Sequence, residues 1–213
     1  MKKNQYINVI NLVIALLVLV LGDVYVEEGG LFLKGLASVG FAVMGAINAF
    51  YVWKNGTKHL KFALFMMMGL TLCWLGDIAI NIEFIAGAAV FALGHVFYFV
   101  AYCAHERFRM SDLIMAAIIF LPALAFITFA PMFDFGSGVL YAVCAVYAVI
   151  ISCMVGKALA ILIKRKTFSS LFTVVGCALF FFSDLMLVID FFGGGTGIIP
   201  ILCIQRIIPH NVF

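Results

Sequence analysis

The sequence predicts an all-α integral membrane protein, one bundle of about eight transmembrane helices occupying residues 1–213 as a single domain, with both termini on the cytoplasmic side. Three observations predict it. Hydrophobic residues make up 66% of the 213 and charged residues only 11%, with a mean hydropathy of +1.23, more than a water-soluble domain of this size needs to build one core. The apolar residues fall in runs of membrane-crossing length, about 20 residues. The basic residues collect at alternate ends of those runs. A β-barrel is excluded, because stretches such as VIALLVLVL lack the alternation of barrel strands.

The runs are bounded by polar or Gly/Pro breaks. The first, Tyr6 to Leu21, follows KKNQ; this start resembles a signal peptide, but LVLGDVYVEEGG offers no small-residue cleavage site, so it is read as a span. The second is Leu31 to Trp53, after a Gly-Gly break. The third, Leu60 to Ile80, follows KNGTKH, and the fourth, Phe84 to Cys103, follows a short polar NIE. The fifth is Leu113 to Ala130 and the sixth Val139 to Ile163. The seventh is Phe168 to Ile189, after KRK, and the eighth, the shortest, is Gly197 to Ile208.

Orientation follows from charge. Lys2, Lys3, Lys54, Lys58, Lys61, Arg107, Arg109, Lys164, Arg165, Lys166 and Arg206 lie at every second boundary, eleven of the thirteen basic residues, and the positive-inside rule makes that side cytoplasmic. Asp23, Glu27, Glu28, Glu83, Asp134 and Asp190 mark the opposite boundaries. Lys34 and Lys157 are exceptions, each within about two turns of a helix end, where a long side chain can snorkel to the interface and serve as an anchor. The net charge of +3 resides in the cytoplasmic loops. It favours anionic headgroups and implies no nucleic-acid partner. The six cysteines lie in or beside apolar segments without C-x-x-C spacing and read as packing residues, with neither a disulfide framework nor a zinc site. No internal repeat and no large polar segment divides the chain.

Two carboxylates stand inside these spans: Asp77 in LTLCWLGDIAIN and Asp184 in ALFFFSDLMLVI. An acid in a bilayer costs roughly 2.5–3.5 kcal/mol even on insertion scales, so such residues mark a buried site. Counted from the outer ends of their spans they sit about 6 and 8 Å deep at 1.5 Å per residue. The fourth span runs inward and carries His95, with Tyr98 one turn on along the same face; a cavity opening outward would collect all four. No intramembrane Arg or Lys is expected near the two aspartates. Gly76, Gly87, Gly94 and Ser183 adjoin these polar residues and suit close approach of the third, fourth and seventh spans. Asn81 either hydrogen-bonds the Asp77 carboxylate or caps the helix end. His95 alone would as readily be a packing histidine, and Asp190 beside FFGGGTG reads as solvated.

The stretches GDIAI, FIAGAAVFALGHVFYFVAY and GCALFFFSDLMLVIDFF together resemble the YhhN family of eight-span membrane proteins, which includes lysoplasmalogenases. The resembling positions are Gly76 and Asp77, Phe84 and Gly87, His95 and Tyr98, and Ser183 and Asp184, with Gln205 in the closing CIQRII. The resemblance implies a membrane lipid hydrolase that opens the vinyl ether of a lysoplasmalogen, releasing a fatty aldehyde and a glycerophospho-alcohol. It implies Asp77 and Asp184 as catalytic residues, with His95, Tyr98, Ser183 and Gln205 supporting them or binding substrate; Asn81 joins that supporting set by its place one turn after Asp77. The implied partners are a lysophospholipid drawn from the bilayer and the membrane lipids themselves, without cofactor or metal.

The chemistry fits two acids. A vinyl ether resists base but opens when its β-carbon is protonated, which requires one protonated acid and a negative group beside the developing cation. A proton- or cation-coupled transporter is the alternative use of buried carboxylates, but repeats and matching broken helices are missing. A metal-dependent lipid hydrolase with His95, Asp77 and Asp184 as ligands would have a single histidine, thin for zinc. No G-x-S-x-G elbow points to a serine lipase.

Overall fold

A computed structural model of the chain describes residues 2–193. Among them are seven α-helices: α1 Lys2–Glu28, α2 Leu31–Lys54, α3 Leu60–Ala79, α4 Phe84–His105, α5 Met110–Phe129, α6 Gly138–Arg165 and α7 Phe168–Phe192. Each is long and apolar enough to cross a membrane, so the chain is a multi-pass integral membrane protein. Seven of the eight expected spans are thus matched, six of them to within three residues at each end. The eighth, with Gln205 and Cys203, lies outside the described residues. The largest difference is at α1, which continues through Gly22 and Asp23 to Glu28 rather than stopping at Leu21.

The described residues divide into two compact units, 2–94 and 95–193. The first holds α1 to α3 and the opening turns of α4. Gly29 and Gly30 join α1 to α2 with φ of 73° and 96°, conformations that glycine adopts without a Cβ clash. Across this hairpin Asn11 and Asn48 exchange reciprocal amide hydrogen bonds of 3.0 and 2.9 Å. The α2–α3 contact is fastened by Trp74, whose Nε1 donates to the Gly35 carbonyl at 3.0 Å. The first turns of α4 pack on α3 where both lack bulk. A Cβ on Gly87 would land on the Ile80 backbone, one on Gly76 would meet the Phe91 ring, and one on Gly94 would meet Cys73. The close approach expected of these glycines is present between α3 and α4.

The second unit holds the rest of α4 with α5 to α7. Its helix starts are capped as their sequences dictate: Ser137 Oγ accepts from the Leu140 amide at α6, and Thr167 and Ser170 form a reciprocal capping box at α7. Helix α6 meets α5 so closely at Gly156 that a Cβ there would press on the Ala116 backbone. Lys157, the next residue, corrects the expectation of a snorkelling anchor. Its side chain is 1% exposed and its ammonium contacts Asp112 at 2.6 Å. It also donates to the Arg107 carbonyl at 2.9 Å and lies over the Phe108 ring. A carboxylate 45 residues away satisfies the lysine within the protein, so it need not reach for headgroups. Cys73, Cys144 and Cys177 are buried and Cys103 and Cys153 half-buried, with no disulfide among these five.

Candidate active site

Asp184 is half-buried on α7. Its Oδ2 accepts a hydrogen bond from the Tyr147 hydroxyl of α6 at 2.6 Å and lies 3.5 Å from His95 Nε2 of α4. The same hydroxyl is 3.3 Å from His95 Nδ1. A tyrosine has one proton to give, so with that proton directed at Asp184 the phenolic oxygen accepts from Nδ1–H. The three residues then form a relay from imidazole through phenol to carboxylate.

Aromatic rings hold this relay in place. His95 is fully buried and meets Tyr98, Tyr147 and Phe180 edge-on at 6.0, 5.6 and 5.8 Å, the favoured geometry for rings. Tyr98 is buried too, on the His95 face as the i, i+3 spacing predicts. Asp184 and Tyr147 open onto a cleft among α5, α6 and α7, a cavity of about 40 Å³ otherwise walled by Ala123, Ile127, Ala148 and other apolar side chains. That is room for a few water molecules, each needing about 10–15 Å³. A titratable carboxylate thus stands at the wall of a small, mostly apolar cleft. Among the described residues no three His, Cys, Asp or Glu side chains converge as a metal-ligand set.

Asp77 stands in the other unit, near the C-terminal end of α3. Its carboxyl is acted on by the Lys34 ammonium and the Ser38 hydroxyl of α2, and its charge reaches Tyr25 of α1. This corrects the reading that no lysine lies near the aspartates. Lys34 is brought to Asp77 by helix pairing across 43 positions of sequence, so it is an electrostatic partner and not merely an anchor. Asn81 resolves its two alternatives by donating to the Asp77 main-chain carbonyl at 2.6 Å, so it caps the helix end. Ser183 is exposed on α7. Sequence reasoning passed over Tyr147. Its one signal was a hydroxyl deep inside a 28-residue apolar helix, a group that must find a partner away from water.

The helices and this cluster define a class: a multi-pass membrane protein with a histidine, a tyrosine and a carboxylate joined inside the apolar zone, where ionisable residues are costly and rare. Within that class, the chain belongs to the YhhN family, whose profile matches residues 40–205. The match takes in Asp77, His95, Tyr98, Tyr147 and Asp184, and leaves out α1 and the first turns of α2 with Lys34 and Ser38. No curated protein matches the chain, and no solved structure does.

Proposed function

We propose that this protein is a membrane hydrolase that cleaves the vinyl ether bond of lysoplasmalogens, with Asp77 and Asp184 dividing the roles of acid and water activator. The observation that carries this reading is the carboxylate of Asp184, held by Tyr147 at 2.6 Å and faced by His95 at 3.5 Å, on the wall of an apolar cleft. Acid-base groups beside an apolar cleft suit a substrate that is mostly hydrocarbon and whose reactive bond is opened by protonation. Membership of the YhhN family supports a membrane hydrolase of this type.

The reaction divides into two proton movements. An acid delivers a proton to the vinyl β-carbon, and the resulting oxocarbenium ion is stabilised by a carboxylate. Water adds at the α-carbon and loses its proton to that carboxylate. The hemiacetal then collapses to aldehyde and glycerophospho-alcohol, leaving the glycerol carbon–oxygen bond intact. Tyr147 and His95 hold Asp184 in one orientation and give its charge a defined proton path. The single-chain lipid enters sideways from the bilayer, its tail along the cleft.

Purified protein incubated with a lysoplasmalogen in deuterated water tests the reading. The expected product is aldehyde carrying deuterium on its α-carbon, with free aldehyde as the control for enolisation. Asp77→Asn and Asp184→Asn should each lower turnover at least about 100-fold, since an amide keeps the volume but carries neither acidic proton nor charge. Near-normal activity in either variant eliminates the two-carboxylate mechanism. Loss of activity with chelator moves the water-activating role to a metal. Absence of lipid turnover together with pH-dependent ion flux, lost on mutating either aspartate, would identify a transporter.

A further inference from the structure

At the basic end of the second unit the α4–α5 loop and the last turns of α6 enclose a cavity of about 160 Å³, some ten times what one water requires. Cations crowd it. Arg107, Arg109, Lys157 and Lys164 line it, with Arg165 one residue beyond. Against these five stand two carboxylates. Asp112 is committed to Lys157 at 2.6 Å and to the Arg109 amide at 2.9 Å. Glu106 is shared by Lys164 and Arg165. Arg107 and Arg109 are exposed and have no carboxylate partner among the described residues. The local surplus of three positive charges equals the formal net charge of the whole chain.

We propose that this cavity binds a phosphate-ester anion. Two guanidiniums are built for phosphate oxygens, which they can hold in bidentate geometry. The N-terminal turn of α5 opens into the cavity at Ser111 and adds backbone N–H groups and a positive dipole end. The floor is fixed in advance: Lys157 grips the Arg107 carbonyl at 2.9 Å and, through Asp112, the Arg109 amide, so the loop carrying both arginines is tied at two points. The rim is apolar at Ile163, 53% exposed, and Met110 and Ile114, beside the lining residues Ser111 and Met115 on α5, are 73% and 60% exposed. Such a rim lies in lipid, so the source that fits best is the headgroup of an anionic phospholipid on the side that the positive-inside rule assigns to the cytoplasm.

The catalytic substrate does not account for this site. His105, the last residue of α4, lies ten residues beyond His95, about 15 Å along the helix axis at 1.5 Å per residue, and Arg107 is two residues further on. In a lysoplasmalogen only the glycerol separates phosphate from vinyl ether. A lipid with its phosphate here cannot present its vinyl ether to Asp184, so the cavity takes a second lipid.

The full chain in detergent is offered phosphatidylglycerol or phosphatidylcholine, and retained lipid is read by native mass spectrometry. The expected result is preferential retention of phosphatidylglycerol, weakened roughly 30-fold in the double variant Arg107→Gln/Arg109→Gln, at a few-fold for each surface arginine. Lys58→Gln/Lys61→Gln removes the same charge from another loop and is expected to change retention little. Equal loss in both double variants, or retention without regard to headgroup when neither inorganic phosphate nor glycerol phosphate binds, overturns the proposal. Inorganic phosphate and glycerol phosphate form the second arm. Displacement of the lipid by either supports a phosphate site, and binding of either with no lipid preference keeps the site and makes a soluble phosphate its ligand. Since binding is measured, failure of the hydrolase reading leaves this result untouched, and the reverse also holds.

Discussion

Tyr147→Phe removes one oxygen from the site and leaves the ring, so its effect isolates the hydrogen bond to Asp184. At 2.6 Å that bond is short, as bonds to an ionised acceptor are, and such bonds contribute about 1.5–3 kcal/mol. The longer His95 contact at 3.3 Å adds little. If Asp184 must be held in one orientation to handle a proton, the loss appears in the chemical step. At about 1.4 kcal/mol per decade, kcat falls roughly 10- to 100-fold. The phenylalanine ring still walls the cleft between α5, α6 and α7, so KM should stay within about two-fold. Aldehyde release by purified protein, coupled to a nicotinamide-dependent aldehyde dehydrogenase, gives both constants, with the elution profile on size exclusion as the check on folding. A kcat within about two-fold of wild type refutes the positioning role. A raised KM with kcat unchanged reduces Tyr147 to a wall of the cleft.

Other outcomes follow from features outside that relay. Lys157→Met leaves Asp112 charged and buried at 4% exposure, which should cost about 3–5 kcal/mol in detergent denaturation. Adding Asp112→Leu should recover most of that loss. Gly156→Ala should destabilise by about 1–3 kcal/mol because its Cβ would press on the Ala116 backbone. Gly176→Ala, with nothing within 4 Å, should be neutral or slightly stabilising. Reporter fusions should place loops near Glu83 and Asp134 outside and those near Lys58, Arg107 and Arg165 inside; a basic loop found outside overturns the assigned orientation.

The spans were legible because hydrocarbon imposes a length. About 20 apolar residues ended by KNGTKH or KRK leave little choice of boundary, and α2, α3 and α7 begin where the sequence reading begins them. The exception, α1, ran past its expected end because Asp23 falls at the outer interface, where a charge does not stop a helix. Pairwise chemistry was less legible. Lys157 with Asp112 and Lys34 with Asp77 are each more than 40 residues apart, and only the helix packing joins them. Tyr147 was hidden for a related reason: a phenol in an apolar run is unremarkable until α4 and α7 bring His95 and Asp184 to it. Asn81 differs, since both its alternatives were local, and geometry decided for the main-chain carbonyl.

The paired amides of Asn11 and Asn48 bear on how the chain is assembled. Each lies seventeen residues from its end of the turn, Asn11 before Glu28 and Asn48 after Leu31, so the two meet only when the hairpin is in register. An amide alone in hydrocarbon has unmet donors and acceptors, whereas two facing amides satisfy one another. Helix α1 is otherwise open, with only 6% of its most apolar stretch buried and Val18 seated against Gly40 of α2. During synthesis, α1 reaches the bilayer before its partner exists. The smallest piece of this chain that can leave the insertion machinery without a bare amide is therefore the α1–α2 hairpin, and a slip of one turn between its helices would expose both asparagines at once.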